Sequence, residues 1–160
     1  MKQIHIDTVI DVYDSIEELE DSVKSLMLKA IAARNKAYAP YSKFEVGAAV
    51  ELENGEIILG NNQENAAYPS GLCAERVAIF QAGALYPNVK IKCIAISATS
   101  IDKPVKSPIP PCGACRQSIA EYEQKQNCPI PIYFMGFEGP VYKTKSLENI
   151  LPLTFDKSFL

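Results

Sequence analysis

The residue order predicts an α/β protein, a three-layer α/β/α sandwich around a mixed sheet of about five strands. Three observations carry that prediction. Wholly apolar or alternating polar and apolar stretches are separated by stretches whose apolar residues recur at three- and four-residue steps. Asn54-Gly55, a dipeptide suited to the positive φ angles of a tight hairpin, joins two of the alternating stretches. Later strands are each preceded by a helical stretch, the order that builds right-handed parallel crossovers.

In chain order, "SIEELEDSVKSLMLKAIAARNKAY" opens with Ser15 and Glu18, a capping-box pair. It then places Ile16, Leu19, Val23, Leu26, Ala30, Ala33 and Ala37 on one helical face, with Pro40 just past the end. "KFEVGAAVELENGEIILGNN" reads as the two strands of the hairpin. "CAERVAIFQAGAL" has helical spacing and closes near Gly83 and Pro87, and "KIKCIAISATS" is an apolar strand. A loop rich in Pro, Ser and Lys covers residues 100 to 111. "CGACRQSIAEYEQK" follows as a second helix, "PIPIYFMGF" as a strand, and "PVYKTKSLENILP" as a last short strand and helical turn. No internal repeat or low-complexity segment interrupts this order, and 160 residues suit one domain over 1–160, with residues 1–14 an extension of unassigned role. On this layout Cys73 and Cys112 both begin helices at one end of the sheet, where ligand sites of open α/β sheets gather.

Charge and cysteine usage narrow the function. A net charge of -3, without any Lys or Arg run, disfavours a long phosphate backbone as partner. "MKQIHIDTVIDVYD" alternates polar with apolar and resembles neither a signal peptide nor a membrane span, so the cytoplasm is the expected location. Five cysteines in a reducing compartment point to metal binding or catalysis before disulfides.

Cys112 and Cys115, three apart in a first helical turn, can direct both sulfurs at one ion, although a CxxC also suits a redox pair or two small core residues. Cys73, at another helix start where free N–H groups favour a thiolate, makes a three-sulfur zinc site the better reading. Cys93 in an apolar strand, Cys128 at the far end of a helix and His5, the lone histidine, read as structural, which leaves the site open for water as catalytic sites are. Arg76 can donate to ligand sulfurs, offsetting their charge, or be a solvated surface arginine; Arg116 carries the same two readings. Glu75 suits a first helical turn on charge alone, yet two residues from a ligand it also reaches the water as a proton shuttle.

These residues resemble the zinc-dependent cytidine deaminases of the small homotetrameric type. Cys73-Ala74-Glu75 and Pro111-Cys112-Gly113-Ala114-Cys115 are the three-cysteine form of the zinc-deaminase signature. The likeness extends through "YAPYSKFEVGAA", "NNQENAAYPSGLCAER", "PPCGACRQ" and "ILPLTF", from about residue 25 to 155. It implies that Cys73, Cys112 and Cys115 hold Zn²⁺, and that Glu75 moves protons from the zinc-activated water to N3 and to the departing amino group while C4 is attacked. Cytidine and deoxycytidine would thus become uridine and deoxyuridine, releasing ammonia in pyrimidine salvage. Asn62 and Glu64 match residues on the ribose hydroxyls, Phe44 an aromatic beside the nucleoside, and the backbone of Ala74 and Pro111 contacts to the base edge. Phe155 matches a residue that enters a neighbouring subunit's pocket, which implies a homotetramer with shared sites. Tyr41 and Tyr68 also fall near the implied pocket. Glu45 stands where the family commonly has proline, and "IDKPVKSPI" is a loop that bears on pocket access. Alternatives are the same zinc chemistry on another cytosine-like nucleoside such as blasticidin S, or a non-catalytic protein whose zinc staples two helices. Glu75 separates the last two classes, since only hydrolysis needs it.

Overall fold

A computed structural model describes all 160 residues. Its elements are β1 (Asp11–Tyr13), α1 (Asp21–Arg34), β2 (Phe44–Leu52), β3 (Ile57–Asn61), α2 (Ala74–Leu85), β4 (Ile91–Ser100), α3 (Gly113–Gln126), β5 (Ile132–Met135) and β6 (Val141–Thr144). The sheet has six strands in the order β1-β6-β5-β4-β2-β3, not five. The sixth comes from the N-terminal extension, whose β1 pairs antiparallel with β6 and sets Tyr13 opposite Val141. Three residues of alternating polarity are a short signal, and only a waiting edge makes them a strand.

The β4–β5 pair is parallel and the other pairs are antiparallel. β3 and β4 also run in the same direction, but β2 lies between them, so the crossover through α2 skips one strand. Strand periodicity divides the core cleanly. From β4, Ile94 and Ile96 join the cluster that also takes Ala78 and Ile79 of α2 and Ile119 of α3. Cys93 and Ala95 face the other way, into the cluster of Val23, Leu26, Met27 and Ala30 from α1. Each buried aliphatic side chain contributes about 1.5–3 kcal/mol. No helix is long and apolar enough to cross a membrane.

Two boundaries of the first helix differ from the sequence pattern. Ser15 accepts a backbone N–H, but that of Glu17, and it caps only the short turn Ile16–Glu18. Leu19 is extended, and redirecting the chain there brings Ile16 and Leu19 onto the α1-side core. At the other end α1 stops at Arg34, because the Tyr38 N–H donates to the Asn62 carbonyl and the Tyr38 carbonyl accepts from Glu64. Tertiary pairing thus replaces the last helical turn that the apolar spacing favoured.

Two glycines set the helix-to-sheet distance. A Cβ on Gly47 would lie 2.1 Å from the Ala30 carbonyl oxygen, and one on Gly60 would lie 2.3 Å from that of Ala74. The second contact presses the first turn of α2 against β3, and that turn carries the site.

Candidate active site

Cys73 and Cys112 are the N-cap residues of α2 and α3, and neither side chain accepts a capping hydrogen bond. Both sulfurs are therefore free to point away from their own backbones while lying at the positive ends of two helix dipoles. Cys115, in the first turn of α3, is buried. The three Sγ atoms lie within 4.8 Å of one another, and no fourth Cys, His, Asp or Glu joins them. Cys73 Sγ and Cys112 Sγ are 3.8 Å apart. Two sulfurs at about 2.3 Å from a tetrahedral zinc are separated by about 3.8 Å, so this donor set fits Zn²⁺ with one corner open to solvent.

The other candidate fourth ligands sit elsewhere. Cys93 is buried on the α1 side of the sheet, where its thiol donates to Glu51 at 3.4 Å. Burial, followed by the Glu51 carboxylate, pushes it up to about 12. Cys128 is exposed beyond the C-terminal end of α3, and His5 is exposed in the N-terminal segment.

Cys73 and Cys115 differ in acidity. A hydrogen bond from Cys115, then one from Arg76, holds Cys73 down to about 5 against the opposing effect of burial. Cys115 is raised by that same bond to Cys73 and by its own burial. Of this pair Cys73 is the more acidic thiol, and metal binding favours the deprotonated form of a ligating thiol. Arg76 Nη2 lies 3.8 Å from Cys73 Sγ, while its buried Nε has no partner. The guanidinium lies against the sulfur cluster and has donors to spare.

Glu75 is only 4% exposed. Desolvation raises its carboxyl above the ordinary range and the charge of Cys73 adds to this, while its own backbone amide and Cys115 pull the other way. A carboxyl whose proton affinity is raised by burial in a dry first turn, beside a sulfur cluster, is placed to exchange protons with a group bound there.

A cleft of about 420 Å³ opens beside Cys73 and Arg76 and is lined also by Tyr41, Asn62, Glu64 and Tyr68. A larger depression of about 570 Å³ lies between the far end of α3 and the 146–156 segment and contains none of the three thiols. Glu64 accepts the N–H groups of Tyr41 and Ser42 at 2.9 and 3.3 Å and also the Ser42 hydroxyl, and that hydroxyl chiefly holds its carboxyl below the usual range. Asn62 mimics a backbone segment, donating to the Phe44 carbonyl at 2.9 Å and accepting from Val46 N–H at 2.8 Å. Both residues hold the walls of the cleft, and each keeps hydrogen-bonding capacity toward it.

Phe44 opens β2, half-buried, directly after Lys43, whose φ of 54° makes a sharp entry. It is not among the residues lining the cleft. Ala74 is fully buried as the first residue of α2, and Pro111 is buried immediately before Cys112. Phe155 is 60% exposed and stacks on Phe159 with ring centres 5.7 Å apart, on the outside of the protomer. Sequence reasoning missed two polar anchors, Glu123 and the buried Arg34, whose Nη1 donates to the Ser97 hydroxyl at 2.7 Å, and it left Arg116 with two readings. Long-range partners of side chains on amphipathic helices leave no local signature.

Comparison with known proteins agrees with this geometry. The family described as "Cytidine and deoxycytidylate deaminase zinc-binding region" matches residues 20–128. A cytidine deaminase of Sporosarcina psychrophila is 40% identical over 139 residues, covering 86% of this chain and 94% of that one. One from Halalkalibacterium halodurans is 39% identical over 132 residues, covering 81% and 91%. Among solved structures, cytidine deaminase from Burkholderia pseudomallei superposes with a TM-score of 0.71 at 36% identity, covering 86% of this chain and all of that one (100%). With three sulfurs in place for zinc, a buried carboxyl beside them and relatives matched along most of its length, the chain belongs to the zinc-dependent cytidine and deoxycytidylate deaminase family and is a hydrolytic deaminase.

Proposed function

We propose that this deaminase acts on free cytidine and deoxycytidine, giving uridine or deoxyuridine and ammonia. The observation that carries the reading is the buried Glu75 carboxyl beside three clustered sulfurs, one of which, that of Cys73, belongs to a residue lining a cleft of about 420 Å³. Zinc held by Cys73, Cys112 and Cys115 would supply the Lewis acidity that makes water a nucleophile at neutral pH. Glu75 takes a proton from that water and delivers it to N3, so that C4 accepts the new C–O bond. The same carboxyl then takes the proton of the new C4 hydroxyl and passes it to the exocyclic nitrogen, so that the C4 carbonyl forms as the C4–N bond breaks and ammonia leaves. Arg76 offsets the negative charge of Cys73. Asn62 and Glu64 hold the sugar hydroxyls with the capacity their wall contacts leave free, Phe44 packs beside the nucleoside, and the backbone of Ala74 and Pro111 meets the base edge.

Related proposals follow from the resemblance. Residues 1–160 act as one domain, in the cytoplasm, within pyrimidine salvage. The exposed Phe155 ring enters the cleft of a second copy in a homotetramer, which is supported by its position on the outer surface. An absorbance assay of the zinc-loaded protein against cytidine, deoxycytidine, cytosine, deoxycytidylate and blasticidin S tests the reading. Turnover of the two nucleosides is expected, and turnover of only another arm replaces the substrate.

A further inference from the structure

Arg116 follows the zinc-binding cysteines directly, and its guanidinium makes two contacts that join separate parts of the chain. Nε donates to the Pro111 carbonyl at 2.8 Å and Nη1 donates to the Ile150 carbonyl at 2.5 Å. Gln117, the next residue, donates from Nε2 to the Phe155 carbonyl at 2.9 Å. One turn and a half further along α3, Glu123 accepts from Leu147 N–H at 3.1 Å and from the Ser146 hydroxyl at 3.0 Å. The segment from 146 to 155 is therefore fixed to α3 at three places, and the two made by Arg116 and Gln117 directly follow Cys115 in the chain.

From this we infer that Arg116 is a positioning residue: it locks the Pro111–Cys112 peptide and the Phe155-bearing segment into one unit. A planar fork can span two carbonyls, whereas a lysine ammonium is a point charge on a flexible stem. The Pro111 carbonyl has two lone pairs, and Arg116 is the one donor it receives within the chain. With one lone pair occupied by a charged donor, the peptide plane is fixed and the second lone pair remains for a substrate N–H. The kinetic consequence rests on the proposed deamination, in which the backbone of Pro111 faces the base edge; the structural bridge does not. Arg116 thus acts through Pro111 and Ile150 without touching the reacting atoms.

The experiment combines hydrogen exchange with kinetics on zinc-loaded parent, Arg116→Ala, Arg116→Lys and Gln117→Ala proteins. Arg116→Ala is expected to speed exchange across residues 150–156 and to lower kcat/KM for cytidine about 10- to 100-fold, with zinc content equal to the parent's. Arg116→Lys keeps the charge and is expected to behave like the alanine variant. Gln117→Ala frees Phe155 alone and is expected to raise KM while kcat holds. Unchanged exchange in Arg116→Ala, full recovery by lysine, or loss of zinc in either variant overturns the inference. If Arg116→Ala does not fold, Arg116→Lys read by the same exchange measurement decides it. A parent that leaves cytidine untouched defeats the proposed substrate, while exchange at 150–156 still judges the bridge.

Discussion

The starts of α2 and α3 both present a cysteine as N-cap, yet they are built in opposite ways. The first turn of α2 is buried and wedged against β3, with Ala74 and Glu75 shielded from solvent and Gly60 leaving no room for a methyl group. The first turn of α3 is open on one face: Cys112 is exposed and a Cβ on Gly113 would meet nothing within 4 Å, while Cys115 is buried. It is held from outside by Arg116 and Gln117 contacts to the 150–155 segment. The difference teaches a division of labour. Under the proposed function, the carboxyl that would trade protons sits on a dry, closely packed mount, whereas the helix start bearing Cys112 and Cys115 is steadied by polar ties.

Changes that affect one side only should break the comparison most clearly. Glu75→Gln should lower kcat by about 10²–10⁴-fold while zinc content holds, since general acid–base transfer contributes on that scale. Its melting temperature should not fall, because a desolvated carboxyl is replaced by a neutral amide. Steady-state turnover, metal analysis and calorimetry on one preparation decide this, and undiminished activity would leave the dry mount without a purpose. Arg76→Ala should lose about 10- to 100-fold in activity or zinc affinity, read by competitive chelation. Gly60→Ala should cost about 1–3 kcal/mol by overpacking against α2, whereas Gly113→Ala should change stability by no more than about 1 kcal/mol. Denaturant midpoints measure both, and equal costs at the two glycines would erase the contrast.

The smallest effect concerns pH on the tied side. Burial first, against three hydrogen bonds that favour ionisation, raises the Glu123 carboxyl above its ordinary value. The folded state then holds the proton more tightly than the unfolded chain. Stability from this group is present below the unfolded value of about 4.3 and declines as pH rises through the folded value. Glu123→Gln should flatten that decline in a series of melts across mildly acidic pH, while the slope contributed by other carboxyl groups persists.

Much of the site was readable along the chain because its chemistry sits in short, ordered motifs. Cys73, Glu75, Cys112 and Cys115 are each fixed relative to a helix start by one or two residues, so local spacing carries their geometry. The hairpin at Gly55, with φ of 88°, is likewise local. What escaped the sequence depends on partners far away. β1 is a strand only because β6 offers an edge, and the first helix loses its ends to core contacts of Leu19 and to pairing of Tyr38 with Asn62 and Glu64. Arg116 carried two readings, a donor to sulfur or a solvated arginine, and the folded chain instead puts the Pro111 and Ile150 carbonyls beside it.

The sequence by itself determined the alternation of helices and strands, the placing of two cysteine-capped helix starts, and the zinc-deaminase chemistry those residues imply. Periodicity and capping act within a turn or two, and so survive in the linear order. The tertiary structure alone decided the sixth strand, the convergence of the three sulfurs, the dryness of Glu75 and the ties that hold the 146–155 segment. Each of these is a contact between residues distant in the chain, and its free energy exists only once burial has brought them together.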